Sequence, residues 1–449
     1  MEEVSEPNSP LNSCLKLLRS EGDEQKIAGM LLASRHLKPI DSTDPTVIKR
    51  NQENASAIFN AVGLPFLEKM MKTPIQDAYD SSYCCVALSF ILNFCDIPEL
   101  QVKIVQLIVP LLQVLKESKD LQQRTDLLHI LSSLWNNTTL RPIICNHIVI
   151  LSLLSSCSTL VNEVTVELQE KYLESKKESK EKHSESKKES KEKHSESKIE
   201  LLLKQYIAFI NLLIQSYSSE ASLPLILVSL SKIACMAPAL YMYSLLPSLS
   251  SILMSHSLPQ QLGVPANKHA EHQILFFSHW LIARCFIYKT PAESRIFVFE
   301  FLWSVVNVLQ FRWLSLPLQA SKDLGVPEKE CALSDSKLIY LLMKTSSIEI
   351  RVQLDYLYKD VVSVYETDGE SATKDKDRSE ISNSLNTLFI CIQIVCSVMK
   401  EVGESVDTEN AFSSFDYDEV VALSTAWAES LRCIKEYVTL ALGITRTDM

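Results

Sequence analysis

The stretch Val62–Leu115, VGLPFLEKMMKTPIQDAYDSSYCCVALSFILNFCDIPELQVKIVQLIVPLLQVL, decides the fold. A phrase comes round twice within it. Leu64-Pro65 opens a short apolar helix carrying Leu67, Met70 and Met71, and Val109-Pro110 opens another carrying Leu112, Val114 and Leu115. The two prolines lie 45 residues apart, within the roughly 40 to 47 residue period of HEAT and armadillo units. Proline suits the start of a helix because its fixed φ matches the first turn and its missing N–H has no intrahelical partner there anyway. A third copy is expected at Leu246-Pro247, followed by Leu249, Ile252 and Leu253, and a degenerate one through Val149, Leu151, Leu153 and Leu154. The recurrence predicts an all-α, armadillo/HEAT-like α-solenoid, a right-handed superhelix of stacked helices.

Composition supports this and excludes other classes. The chain has 449 residues, 46% of them hydrophobic, and a solenoid reaches such a length because each repeat packs only on its neighbours. It contains eight glycines, where roughly 7% of residues is usual. Phosphate-cradling loops and parallel α/β sheets need glycine at tight turns, and neither GxGxxG nor GxxxxGK[ST] occurs. A net charge of −11 repels a phosphate backbone and favours partners with basic segments, so nucleic acid is not expected as a ligand. Twelve cysteines include no CxxC pair and sit mostly in apolar helical text, which predicts reduced thiols rather than disulfides or zinc ligands.

Read in order, residues 1–8 are expected to be disordered, and N-terminal helical repeats fill 9–170. Ser9 and Pro10 start the first helix, Asp44 and Pro45 the third, Gly63 caps the latter's C-terminus and Asp120 the N-terminus of a later one. The helix CCVALSFILNFC is predicted to be buried all round. Pro142 is expected to start a helix that continues to Leu154. Residues 171–198 form a low-complexity Lys/Glu/Ser insertion in which ESKKESKEKHS, 174–184, is repeated without change at 185–195. Such text has no apolar surface to bury and predicts an extended, disordered projection, a charged helix being the alternative. Ser179 and Ser190 within it are the candidate phosphorylation positions.

C-terminal helical repeats are expected over 199–449, with a loop at 256–268, aromatic-rich helices over 273–314 split by Pro291, and a loop at 317–330. Helices follow at 334–345 and 348–365, then a polar loop at 366–380 and a last helix from Tyr417 to Leu442, ended by Gly443. The uncharged run Ile233–Ser255 reads as two short buried helices broken by Pro238 and Pro247 rather than as a membrane span. The N-terminus lacks the pattern of a signal peptide, so a cytoplasmic location is expected.

Groups able to do chemistry are sparse. His269, Glu271 and His272, with His279 further along, resemble a metal site only loosely and match no HExxH pattern. The nearest cysteine–histidine set in sequence is His129, Cys145 and His147, inside leucine-rich helices. With no G-x-S-x-G, HRD or DFG motif, no catalytic residue, cofactor or metal is assigned and the chain is read as non-enzymatic.

Three phrases also resemble the neurochondrin family: EQKIAGMLLASRHLK at 24–38, IFNAVGLPFLEKMM at 58–71 and CVALSFILNFCDIPEL at 85–100. The positions carrying the likeness are Gly63, Pro65, Cys95, Asp96, Pro98, Glu99 and Leu100. The resemblance implies an armadillo-like cytoplasmic adaptor in signal transduction, with receptor cytoplasmic segments and signalling kinases as partners and roles in neurite outgrowth and kinase regulation. It does not extend to the Lys/Glu/Ser insertion or to an N-terminal cysteine pair for lipid anchoring, so membrane association is expected to be peripheral at most. The alternatives are a HEAT-type trafficking or assembly chaperone and an enzyme with an unrecognised site.

Overall fold

A computed structural model describes residues 10–36, 45–72, 78–181, 197–217, 221–287, 290–314, 335–366, 374–404 and 417–447. Among these the chain is helix and turn throughout, with no strand. It divides into two compact units, Met1–Tyr217 and Ser218–Met449, each an all-α array of packed helices.

Unit 1 contains α1 (Pro10–Leu18), α2 (Asp23–His36), α3 (Pro45–Val62), α4 (Leu64–Lys72), α5 (Ala78–Leu92), α6 (Pro98–Ile104), α7 (Ile108–Glu117), α8 (Leu121–Asn136), α9 (Arg141–Ile144), α10 (His147–Glu181) and α11 (Lys198–Ser216). Its organisation is two layers. Helices α2, α5, α8 and α11 touch in succession, as do α4, α7 and α10, and α4–α5, α7–α8 and α10–α11 join one layer to the other. This is the repeating pattern of a helical solenoid, because no single helix can bury its apolar stripe without the next.

Local chemistry explains the joints. Gly63 takes φ +78° and lets α3 turn directly into α4, its N–H bonded to the Phe59 carbonyl at 3.2 Å. Gly29 allows a close crossing: a Cβ there would lie 2.7 Å from Leu18 Cδ2 and 3.1 Å from the Leu18 amide nitrogen. Phe59, Phe90 and Phe94 form a buried triad, with ring centroids 4.7 to 6.2 Å apart, that packs α3 against α5 and the turn after it. Arg124 of α8 is only 2% exposed. Its Nε donates to the Ser118 carbonyl at 2.9 Å and its Nη1 to both Glu163 oxygens at 3.0 and 3.1 Å, tying α8 to α10.

Unit 2 contains α12 (Leu223–Met236), α13 (Ala239–Leu253), α14 (Leu258–Leu262), α15 (Lys268–Ile287), α16 (Arg295–Leu309), α17 (Asp335–Glu366), α18 (Lys374–Glu404) and α19 (Tyr417–Thr447). Here α12 packs on α13 and α15, α13 on α16, α16 on α18, and α17 on α18 and α19. The aromatic helices α15 and α16 do pack together, and Phe276, Phe277, Trp280, Phe299, Phe301, Phe311 and Trp313 are buried.

Several expectations are corrected. Pro247 lies inside α13 instead of opening a repeat; buried Leu246, Leu249, Ile252 and Leu253 hold the helix despite the forgone hydrogen bond, and only Pro238 breaks the run 233–255. The helix expected to run from Pro142 to Leu154 is split, because the Asn146 side chain accepts from the N–H groups of Ile148 and Val149 and so starts α10 afresh. The helix around CCVALSFILNFC stops at Leu92 and is not buried all round, since Ser89 is exposed and Cys85, Val86 and Leu92 are half-buried.

Other corrections concern polar stretches. α10 continues to Glu181, so the first part of the 171–198 insertion is helical, as its Glu and Lys spacing allows, while 182–196 lie outside the described residues. Ser197 and Glu200 form a reciprocal capping box that begins α11 before the insertion was expected to end. The loop at 256–268 contains α14, and α18 begins at Lys374 within the polar loop expected at 366–380. The expected break near Ser346-Ser347 is absent, both serines being buried within the continuous α17, and α19 runs through Gly443 to Thr447. The expectations for 1–8, Ser9, Asp44 and 317–330 lie outside the described residues.

Among the described residues, four helical segments, Pro98–Glu117, His147–Glu170, Lys198–Ser216 and Ile381–Glu401, are long and apolar enough to cross a membrane by length and composition. Between 44 and 56% of each is buried inside the structure, so packing within the protein accounts for much of their apolar surface.

Urea denaturation tests these joints. Arg124→Ala should cost about 2 kcal/mol by removing hydrogen bonds to a charged donor, and Gly63→Ala ~1 kcal/mol through its left-handed backbone. A loss below about 0.5 kcal/mol for Arg124→Ala, within the range of ordinary surface changes, would contradict the tie between α8 and α10.

Candidate functional site

The exposed side of the α5–α8–α11 layer carries a groove between α8 and α11 with a volume of about 510 Å³. Helical spacing makes it. Thr125, His129 and Ser132 follow one another at i, i+4 and i+7 on α8, and Gln205, Ala208 and Leu212 at i, i+3 and i+7 on α11. The small side chains of Ser132 and Ala208 leave the space, buried Leu128 and Phe209 form its floor, and Leu212, 41% exposed, stands on its rim. An apolar floor with a rim of Thr125, His129, Gln205 and Leu212 suits a peptide side chain.

Beside this groove lies the turn Cys95-Asp96-Ile97-Pro98-Glu99-Leu100. Cys95 is fully buried, and its Sγ donates to the Leu92 carbonyl at 3.2 Å. The Cys95 carbonyl, left over after α5 ends, accepts from Ser133 Oγ at 2.7 Å and Gln101 Nε2 at 2.8 Å. The Ser133 hydroxyl also lies 2.7 Å from Asp96 Oδ1, and Asn137 Nδ2 donates to Gln101 Oε1 at 2.9 Å. Pro98 starts α6, exposed Glu99 sits in its positive first turn and Leu100 is buried. In the other quoted turn, Gly63 supplies the positive φ and Pro65 is exposed.

His129 lies one helical turn before Ser133 and approaches the same turn. Cys95 Sγ, a carboxylate oxygen of Asp96 and a ring nitrogen of His129 all lie within 4.8 Å of one another. The histidine had no sequence signal linking it to Cys95; the contact exists only because α5 and α8 are layer neighbours. The set formed by sequence proximity does not come together in this way: His147 is exposed and Cys145 Sγ donates to the Leu213 carbonyl at 3.3 Å. Burial, then the Asp96 charge, pushes the Cys95 thiol up to about 12, against the lowering effect of the Ser133 hydrogen bond. Burial alone does the same to Cys157.

In unit 2 a cavity of about 330 Å³ is lined by Cys285, Phe286, Thr290, Arg295, Val298 and Glu349 among others. Glu349 is buried, accepts from Gln353 Nε2 at 2.6 Å and lies 3.8 Å from the Arg295 guanidinium. The loose histidine group is dispersed: His269 and His272 are exposed, Glu271 pairs with Arg312, and His279 Nδ1 lies 3.2 Å from the Trp313 carbonyl. Ser179 falls in the helical end of α10, and Ser190 lies outside the described residues.

The stretch that builds the α3–α4 joint, the Cys95 turn and α8 also has a counterpart among known families. Residues 5–140 match the neurochondrin family. The matched segment takes in α1 to α8, including Gly63, Pro65 and the turn from Cys95 to Leu100, and ends before α10 and α11. No curated protein matches the chain.

Thiol chemistry reads the burial directly. With iodoacetamide at neutral pH and detection by peptide mass spectrometry, exposed Cys396 should label first among the cysteines of the described residues, while Cys84, Cys95, Cys157 and Cys285, all raised to about 12 chiefly by burial, should label only after denaturation. Rapid native labelling of Cys95 would contradict the closed turn.

Proposed function

We propose that the protein is a non-catalytic cytoplasmic adaptor that binds segments of signalling proteins on the exposed face of the α5–α8–α11 layer. The observation that carries this reading is the groove of about 510 Å³ between α8 and α11, whose first wall belongs to the neurochondrin segment. A rigid helical layer with an apolar floor accepts an extended or helical peptide without ordering costs of its own. The partners proposed, on the family resemblance, are receptor cytoplasmic segments and signalling kinases, and the net charge of −11 favours those that are basic. By holding such segments the protein would modulate kinase signalling, and neurite outgrowth where the source has neurons.

Fluorescence anisotropy with synthetic basic peptides from receptor tails and kinase regulatory segments tests the site. Ala208→Trp, which fills the groove, should weaken a bound peptide at least ~10-fold, equivalent to about 1.4 kcal/mol, and added salt should weaken it further. Binding unaffected by Ala208→Trp, or no peptide binding at all, would overturn the reading.

The location is tested separately. In lysed cells the chain should appear in the soluble fraction or leave membranes with alkaline carbonate. Retention after carbonate would contradict the cytoplasmic reading.

A further inference from the structure

Cys95, Asp96 and His129 come from a turn and from the face of a neighbouring helix, and among the described residues they are the one group of three potential metal ligands gathered so closely. We propose that they form a zinc(II) site, with Cys95 Sγ, one Asp96 carboxylate oxygen and one His129 ring nitrogen as ligands and water in the fourth position. The donor set is one thiolate, one imidazole and one carboxylate, the mixture that zinc takes in tetrahedral geometry.

Distances agree with this. Tetrahedral zinc with bonds of ~2.0 to 2.3 Å holds its ligand atoms roughly 3.3 to 3.8 Å apart. The three atoms here already lie within 4.8 Å, and Cys95 Sγ is 3.9 Å from Asp96 Oδ1. Closing the set therefore takes about an ångström of side-chain movement, available because Asp96 and His129 are exposed.

The surroundings supply what a metal site needs around its ligands. Ser133 Oγ lies 2.7 Å from both Asp96 Oδ1 and the Cys95 carbonyl, and its single proton serves one of them at a time, while Gln101 Nε2 donates to the Cys95 carbonyl at 2.8 Å throughout. Zinc would replace the proton of the Cys95 thiol, which passes to solvent, and the Sγ–H contact to the Leu92 carbonyl would give way to the Sγ–Zn bond. No oxidation or reduction is involved. The site borders the groove, since His129 lines that as well, but it stands on the ligand geometry and does not depend on the adaptor reading.

Cobalt(II) titration of the full chain, stripped with chelator and kept reduced, tests the site. A thiolate-to-cobalt charge-transfer band and the visible bands of tetrahedral cobalt should appear stoichiometrically and be discharged by zinc. Cys95→Ser should abolish the charge-transfer band. His129→Ala and Asp96→Asn should each weaken zinc by roughly 100-fold, the upper end of the loss seen when even an outer-shell partner is removed. His147→Ala, an exposed histidine outside the set, should change nothing. Because His129 and Asp96 are exposed, helical circular dichroism should stay at the native level in both variants. Absence of a charge-transfer band in the native chain, or unchanged affinity in both His129→Ala and Asp96→Asn, would overturn the proposal.

Discussion

The carbonyl of Cys95 is the constraint on which the first unit turns. Once α5 ends at Leu92, this buried acceptor has no partner in its own helix, and leaving it unpaired would cost on the order of 1 to 3 kcal/mol. Ser133 from α8 and Gln101 from α6 both supply hydrogen bonds to it. That joint sets the register of α8 against α5, and the same register brings His129 to Asp96 and directs Thr125 and Ser132 towards α11. The Phe59–Phe90–Phe94 triad supplies apolar mass beneath the turn, while the hydrogen bonds supply direction.

Around this joint, stability and function use different sides of the same helices. α8 turns Leu127, Ile130, Leu131 and Leu134 into the core, commits Arg124 to the α10 layer, and leaves Thr125 and His129 exposed. α11 repeats the division, with Leu203, Tyr206, Ile210 and Leu213 buried and Gln205, Ala208 and Leu212 outside. A layered helical array is suited to binding for this reason: changes on the outer stripe leave the packing stripe intact. Unit 2 follows the same packing logic with a more aromatic core, and its charged pair Arg295–Glu349 lines a cavity.

Residues whose role depends on their immediate neighbours were legible in the sequence. Gly63 at a helix end, Pro45 at a helix start and Asp120 as a cap, which accepts from the Gln122 N–H at 3.0 Å, all answer to local backbone chemistry. Residues whose role depends on a distant helix were not. Gly29 matters because Leu18 crosses it, Pro247 stays helical because its flanking leucines are buried, and Ser346 and Ser347 interrupt nothing because α17 packs on α18 and α19. Asn146 and Ser197 are a different case: their capping patterns were present in the text, hidden by leucine-rich sequence around one and by a charge run before the other. The groove and the Cys95–Asp96–His129 set belong wholly to the second kind, since each exists only between helices.

Hydrogen–deuterium exchange on Ser133→Ala is the most direct measurement of the claim that one joint organises unit 1. The account predicts faster exchange in both 93–105 and 121–136, spreading to α11, with α15 and α16 unchanged. Exchange altered only around residue 133 would contradict it, showing that α5 and α8 keep their register without this hydrogen bond.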